Sequence, residues 1–99
     1  MKTFVLSPAA EIDLDDIWDY SVENWGERQA ERYIRMIQDT IIGLTVGTQF
    51  SQSAQHVRPG FRKVLVGTHV LFFKEDDKLI DVIRILHQRM DSTHHLTEH

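Results

Sequence analysis

The chain has 99 residues, which is enough for one domain with a core of modest size. It has no cysteine, so disulfide frameworks and thiolate metal sites are excluded, and its formal net charge of −4 argues against non-specific binding of nucleic acid. No apolar run approaches the roughly 20 residues that cross a bilayer, and the N-terminus lacks the apolar region of a signal peptide. We therefore expect a single cytoplasmic domain, residues 1–99, with no membrane segment.

A short strand and a helix are the first predicted elements. Thr3–Leu6 is predicted to be a strand of the main sheet. Ser7 is a good N-cap, and Pro8 suits the first helical position because its missing N–H would have no partner there. Gly26 is expected to end the helix. Apolar residues recur at helical spacing between these ends: Ala10, Leu14, Ile17, Trp18, Val22 and Trp25. We interpret the two tryptophans as core residues or as part of the seam with the next helix.

A second helix is predicted over Glu27–Val46, with an apolar stripe and a basic line on another face. Its short link to the first helix predicts an antiparallel hairpin. The basic line contains Arg28, Arg32 and Arg35, and we expect these residues to pair with acids of the first helix. The acids are Glu11, Asp13, Asp15, Asp16, Asp19 and Glu23. We interpret them as a solvated face near a helix N-terminus and not as a catalytic or metal site.

The second half of the chain is predicted to be a polar connection, Thr48–Gly60, followed by a three-stranded antiparallel meander. The strands are Phe61–Val66, His69–Lys74 and Leu79–Leu86, rich in the residues that suit a packed, pleated surface. Gly67 is placed first in a two-residue turn, where type II′ geometry requires a positive φ.

Both faces of the third meander strand are mostly apolar. Strict alternation places Leu79, Asp81, Ile83 and Ile85 on one face and Ile80, Val82, Arg84 and Leu86 on the other. One face is expected to pack on the helices. The other face, carrying Arg84, is expected to remain partly apolar and to bind a partner protein.

The polar tail Gln88–His99 is predicted to contain a short helical turn around Ser92–Leu96. It includes three histidines whose spacing is compatible with a divalent metal: His94, His95 and His99. Because Glu98 is the only acid close enough to support such ligands, we assign no metal site and no cofactor.

Three segments of the chain resemble a known family. They are LSPAAEIDLDDI (residues 6–17), GFRKVLVGTHVLFF (60–73) and IRILHQRMD (83–91). Together they resemble the ParE toxins of type II ParD–ParE toxin–antitoxin systems, within the RelE/ParE superfamily. The resemblance implies an α+β fold with a first strand, an antiparallel two-helix hairpin and a three-stranded antiparallel meander. It also implies a ParD-like antitoxin partner of the ribbon-helix-helix, DNA-binding type, and DNA gyrase as the cellular target.

RelE relatives instead cut messenger RNA on the ribosome, which requires an acid/base group and cations for the phosphate. The candidates for that chemistry here are His87 with Arg84, Arg62 and Lys63. Strand alternation predicts that Arg84 and His87 point to opposite faces, and an acidic chain is poorly suited to a ribosome, where phosphate contacts dominate affinity. We therefore favour a non-enzymatic gyrase inhibitor that does not bind nucleic acid directly. The alternative is a RelE-like, ribosome-dependent mRNA endoribonuclease, and a relative that has lost toxicity would share the same sequence features.

Two contact surfaces are predicted from side-chain chemistry. The gyrase-contacting set is Arg62, Lys63, Arg84, His87, Arg89 and Met90. The antitoxin-binding set, along the helical hairpin and the sheet edge, is Ile17, Tyr20, Ile34 and Val70, each of which is equally consistent with a core position.

Overall fold

The computed structural model of the protein describes residues 1–90 and 95–96. Its elements are β1 (Thr3–Leu6), α1 (Pro8–Trp25), α2 (Glu27–Val46), β2 (Gln52–Ser53), β3 (Arg62–Val66), β4 (His69–Glu75) and β5 (Leu79–His87). The α+β class and the order of strand, helical hairpin and meander are confirmed. The two-residue strand β2 lies inside the predicted polar connection, and it is too short to produce a periodic pattern.

The five strands form one sheet in the order β1-β5-β4-β3-β2. β1 runs parallel to β5, and the other neighbouring strands are antiparallel. A type II′ turn requires a positive φ at its first central residue and a negative φ at its second. Gly67 has φ +58°, and Thr68 has a negative φ, since no non-glycine residue in the described part of the chain has a positive one.

The N-terminus of α1 is fixed to the sheet by its cap. The Ser7 hydroxyl accepts from the backbone N–H of Ala10 at 3.0 Å and donates to the carbonyl of Ile83 at 2.6 Å. α1 therefore starts beside β5, where β1 ends. Gly26, at φ +88°, is the only residue between α1 and α2, so the chain reverses there without a loop.

The main core lies between the helical hairpin and one face of the sheet. It contains Ala10 and Ile17 of α1, Ile37, Ile41 and Leu44 of α2, and Val64, Val66, Leu71, Phe73, Ile80, Val82 and Ile85 of the sheet. The prediction that one sheet face packs on the helices is confirmed.

The prediction that the other sheet face stays open is wrong for its central part. Phe72 and Leu86 on that face are buried under Ala54, Phe61 and Leu96. The loop from Ala54 to Phe61 covers them, and it is closed at its ends by the N–H of Ala54, which donates to the carbonyl of Phe61 at 2.8 Å. The polar-looking connection therefore closes a second apolar cluster, and only the outer apolar residues of this region remain exposed.

Strict alternation along β5 fails because the strand contains a bulge. Phe72 pairs with Arg84 while Phe73 pairs with Val82, so Ile83 is an extra residue in the ladder. As a result Val82 and Ile85 both enter the main core, whereas Ile83 packs against the second cluster. The predicted grouping of Ile83 with Ile85 is therefore wrong.

Residues 91–94 and 97–99 of the predicted tail lie outside the described residues. They include Ser92 and two of the three tail histidines, His94 and His99. His95 and Leu96 are helical. The carbonyl of Leu96 accepts from Arg58 Nη1 at 2.9 Å, which ties this turn to the cover of the second cluster. Over residues 1–90 and 95–96, neither helix has the length and apolar character needed to cross a membrane.

Candidate functional site

A cleft opens between α1 and the ends of β4 and β5 that lie beside the Gly67 turn. Its volume is about 340 Å³. Its lining combines carboxylates, aromatic rings and imidazoles: Asp13, Asp16, Ile17, Tyr20, Ser21, Trp25, Thr68, His69, Ile85, His87 and Met90. Two other grooves, one along α2 and one along β3, do not combine these groups.

A buried carboxylate forms one wall of the cleft. Asp13 is only 9 % exposed and accepts three hydrogen bonds. They come from Arg84 Nε at 2.8 Å, Arg84 Nη2 at 2.9 Å and the N–H of Ile85 at 2.9 Å. The expectation that all acids of α1 are solvated is therefore wrong for Asp13. Paired to a guanidinium by two hydrogen bonds, this carboxylate is a structural anchor between α1 and β5.

Arg84 was expected on the sheet face opposite the helices, and the strand register agrees, since Arg84 lies opposite Phe72 of the second cluster. β1 pairs with β5 only as far as Val82, so β5 has an open side at Arg84, where the side chain reaches Asp13 of α1. Arg84 therefore meets α1 around the edge of the sheet, whereas His87 lies opposite His69 on the helix-facing side. The two residues start from opposite faces of β5, as alternation predicts. They do not share a pocket, because Arg84 binds Asp13 and does not line the cleft that His87 lines.

A tyrosine from α2 holds the turn at the edge of this cleft. The Tyr33 hydroxyl accepts from the N–H of Thr68 at 3.1 Å and lies 2.6 Å from His69 Nδ1. A Cβ at Gly67 would stand 2.5 Å from the Tyr33 ring and hydroxyl. Two features therefore require glycine at position 67: its positive φ and the Tyr33 ring that lies against it.

The two histidines of the cleft are each engaged at Nδ1. His69 Nδ1 lies 2.6 Å from the Tyr33 hydroxyl, which also lies 3.4 Å from the carbonyl of Val66. The backbone N–H of Arg89 donates to His87 Nδ1 at 3.2 Å, so this nitrogen is an acceptor and the neutral ring carries its proton on Nε2. Burial, and then the neighbouring His87, hold the pKa of His69 below its ordinary value of 6.5, while Asp13 opposes the shift.

Aromatic rings form a continuous row from the rim of the cleft to the end of β5. The row runs Tyr20, Trp25, Tyr33, His69, His87, with centroid separations of 5.7, 6.4, 5.5 and 5.4 Å. Trp25 contacts Tyr33 of α2, as a residue of the predicted helix seam would, but it is 53 % exposed. Tyr20 and Trp25 thus present ring surface to solvent while the inner rings are held by packing.

The predicted gyrase-contacting residues do not form one patch. His87 and Met90 line the cleft, and Arg89 is exposed beside them. Arg84 is bound to Asp13. Arg62 and Lys63 lie at the other end of β3: Arg62 bonds Ser51 and lies 3.8 Å from Glu75, and Lys63 lines a separate groove.

The predicted antitoxin-binding residues also separate. Tyr20 is exposed at the rim of the cleft, and Ile17 is a core residue that reaches the cleft wall. Ile34 packs against the main core, and Val70 packs against the second cluster while lining the groove of Lys63. The expected pairing of α2 arginines with α1 acids is absent from the described residues, where the ion pairs join Lys2 or Arg62 to Glu75 and Arg84 to Asp13.

Sequence reasoning missed Tyr33 and His69 as residues of the site, and it missed the role of Asp13. One signal for Asp13 was present: it lies three residues after Ala10 and four before Ile17, on the buried stripe of α1. For Tyr33 and His69 the sequence held no signal, because they are 36 residues apart and meet only through the fold.

Comparison with known proteins places the chain in a family. A family model described as "ParE toxin of type II toxin-antitoxin system, parDE" matches residues 4–92. The chain belongs to this family. Toxin ParE1 of Mycobacterium tuberculosis is 42% identical over 89 residues, covering 89% of this chain and 91% of the relative. Toxin ParE1 of Caulobacter vibrioides is 40% identical over 96 residues, covering 97% and 99%.

A solved structure supports the same assignment. One chain of the "Chromosomal ParDE TA system from P. aeruginosa" superposes with a TM-score of 0.71 at 25% identity, covering 88% of this chain and 95% of that chain. The ParE family match spans both walls of the cleft, from α1 to the end of β5. The resemblance inferred from the three sequence segments is confirmed.

Proposed function

We propose that this ParE-family chain arrests growth by binding DNA gyrase, without cutting RNA, and that a ParD-like antitoxin of the ribbon-helix-helix type neutralises it. The observation that carries the proposal is the family match over residues 4–92, which includes every element of the fold except the first residue of β1. Gyrase is the target that resemblance to ParE toxins implies.

The placement of the basic residues supports a protein target over RNA. A metal-free nuclease needs cations and an acid/base group around one phosphate. Val66 lies opposite His69, which lies opposite His87, and Arg62 is four residues from Val66. At about 3.3 Å per residue, Arg62 is therefore about 13 Å along the sheet from the His87 end. Arg84 is engaged by Asp13, so the four nuclease candidates do not surround a common point.

The test starts from controlled expression of the chain with and without the neighbouring reading frame. We expect growth arrest that co-expression relieves. Purified protein should then inhibit gyrase supercoiling and raise the amount of cleaved DNA. Arg89→Ala and Met90→Ala, both at exposed positions after β5, should weaken this inhibition, whereas Arg28→Ala on the outer face of α2 should not.

Two outcomes would overturn the proposal. One is a folded sample that leaves gyrase unaffected. The other is ribosome-associated cleavage of messenger RNA that is lost in His87→Gln, which would establish the RelE-like alternative.

A further inference from the structure

We propose that Asp16, Tyr20 and Trp25 form a receptor for one arginine side chain of the antitoxin. The inference rests on the proposed function, since it assumes that an antitoxin binds this chain. It goes further by naming the side chain that the cleft takes and the groups that recognise it.

The charge of α1 favours a cation. The helix carries six carboxylates and no lysine or arginine between Pro8 and Trp25. Asp13 is neutralised by Arg84, but Asp16 lines the same cleft, is exposed, and forms no ion pair within residues 1–90 and 95–96. The cleft therefore has one uncompensated carboxylate at its mouth, within the negative field of the other acids of the helix.

The aromatic rim favours a guanidinium in particular. Tyr20 and Trp25 stand edge to face, with centroids 5.7 Å apart, and more than half of each side chain is exposed. A planar guanidinium can stack on such a ring and form two hydrogen bonds with a carboxylate, whereas an ammonium group acts as a point charge. Ring and carboxylate lie on one helix, Asp16 and Tyr20 being one turn apart.

The groups at the inner end of the cleft are already engaged with one another. His87 Nδ1 accepts from the N–H of Arg89, and His69 Nδ1 lies against the Tyr33 hydroxyl. Arg84 is turned away, since Nε and Nη2 both bind Asp13. The volume of about 340 Å³ accommodates one long side chain rather than an element of secondary structure.

The experiment measures the affinity of the purified chain for the protein encoded by the adjacent reading frame, by calorimetry at fixed salt. Asp16→Asn should weaken binding about fivefold, the upper end for one partly exposed ion pair, because it removes the charge and leaves both rings in place. Asp15→Asn is the matched control: it makes the same charge change one residue away, at an exposed position outside the cleft. It should change the affinity less than about twofold, because it alters only the screened field of the helix.

A second arm identifies the arginine. Each arginine of the antitoxin is replaced by glutamine, and one replacement should lose most of its effect in the Asp16→Asn background, as a double-mutant cycle requires. Equal effects of Asp15→Asn and Asp16→Asn, or no arginine coupled to Asp16, would overturn this inference while the antitoxin still bound. If Trp25→Ala weakened binding and Asp16→Asn did not, the occupant would be an apolar side chain and the arginine would be excluded. Absence of binding by the folded wild-type chain would overturn the proposed function itself.

Discussion

Replacement of Asp13 by alanine tests how α1 is held on the sheet. The carboxylate is 9 % exposed and accepts from Arg84 Nε, Arg84 Nη2 and the N–H of Ile85, at 2.8, 2.9 and 2.9 Å. Asp13→Ala removes all three acceptor contacts. It takes the Asp13 carboxylate away from Arg84 and removes the acceptor of the Ile85 N–H, next to the main core.

The magnitude follows from burial. Removing one partner of a buried ion pair costs about 3–5 kcal/mol, mostly because the remaining charge stays desolvated. The Arg84 side chain is 19 % exposed, so water recovers part of that penalty and a loss of about 2–4 kcal/mol is expected. A loss of about 3 kcal/mol in a domain of this size lowers Tm by about 12–24 °C.

Urea and thermal unfolding of Asp13→Ala, Asp13→Asn and Asp15→Ala measure this effect. Asp13→Asn keeps an amide oxygen as an acceptor and should lose less stability than Asp13→Ala. Asp15 is exposed on the same helix, so Asp15→Ala should stay within about 0.5 kcal/mol of the wild type. If Asp13→Ala and Asp15→Ala unfold at the same urea concentration, the pairing with Arg84 does not hold α1 on the sheet.

Three further predictions concern the turn, the histidine and the second cluster. Gly67→Ala should lower the free energy of unfolding by about 1–3 kcal/mol, because the new Cβ would meet the Tyr33 ring. Gly60→Ala should cost less, because Gly60 also has a positive φ, +85°, but has open space around it. Equal losses in the two variants would contradict the steric argument. The pKa of His69 is lower in the folded chain than its ordinary value of 6.5, so the unfolded chain binds a proton at this histidine more readily. The free energy of unfolding should therefore fall as the pH drops below about 6.5. His69→Gln should show a smaller loss between pH 8 and pH 5 in urea titrations, and an unchanged pH dependence would refute the assignment. Phe61→Ala should lower the free energy of unfolding by about 3–5 kcal/mol, since Phe61 is 2 % exposed in the second cluster. Phe50→Ala, at a position that is 91 % exposed, should leave Tm within a few degrees of the wild type. A small effect at Phe61 would mean that the second cluster contributes little to stability.

Local chemistry in the sequence was sufficient for the elements of the fold. Ser7 and Pro8 set the start of α1, Gly26 separates the helices, and Gly67 makes the first turn of the meander; each acts through its own backbone or its nearest neighbours. The family was also readable from the sequence: the three segments that resemble ParE toxins lie within residues 4–92, which the family model matches.

The tertiary structure alone decided which of these residues form a site. Asp13 and Arg84 are 71 residues apart, and Tyr33 and His69 are 36 apart. The bulge at Ile83 redirects the side chains of β5, and the end of β1 at Leu6 opens the side of β5 where Arg84 meets α1. Periodicity reports which residues share a face of one helix or strand. The stripe of α1 could indicate that Asp13 faces inward, but its partner depends on where a distant strand ends, and no local pattern contains that information.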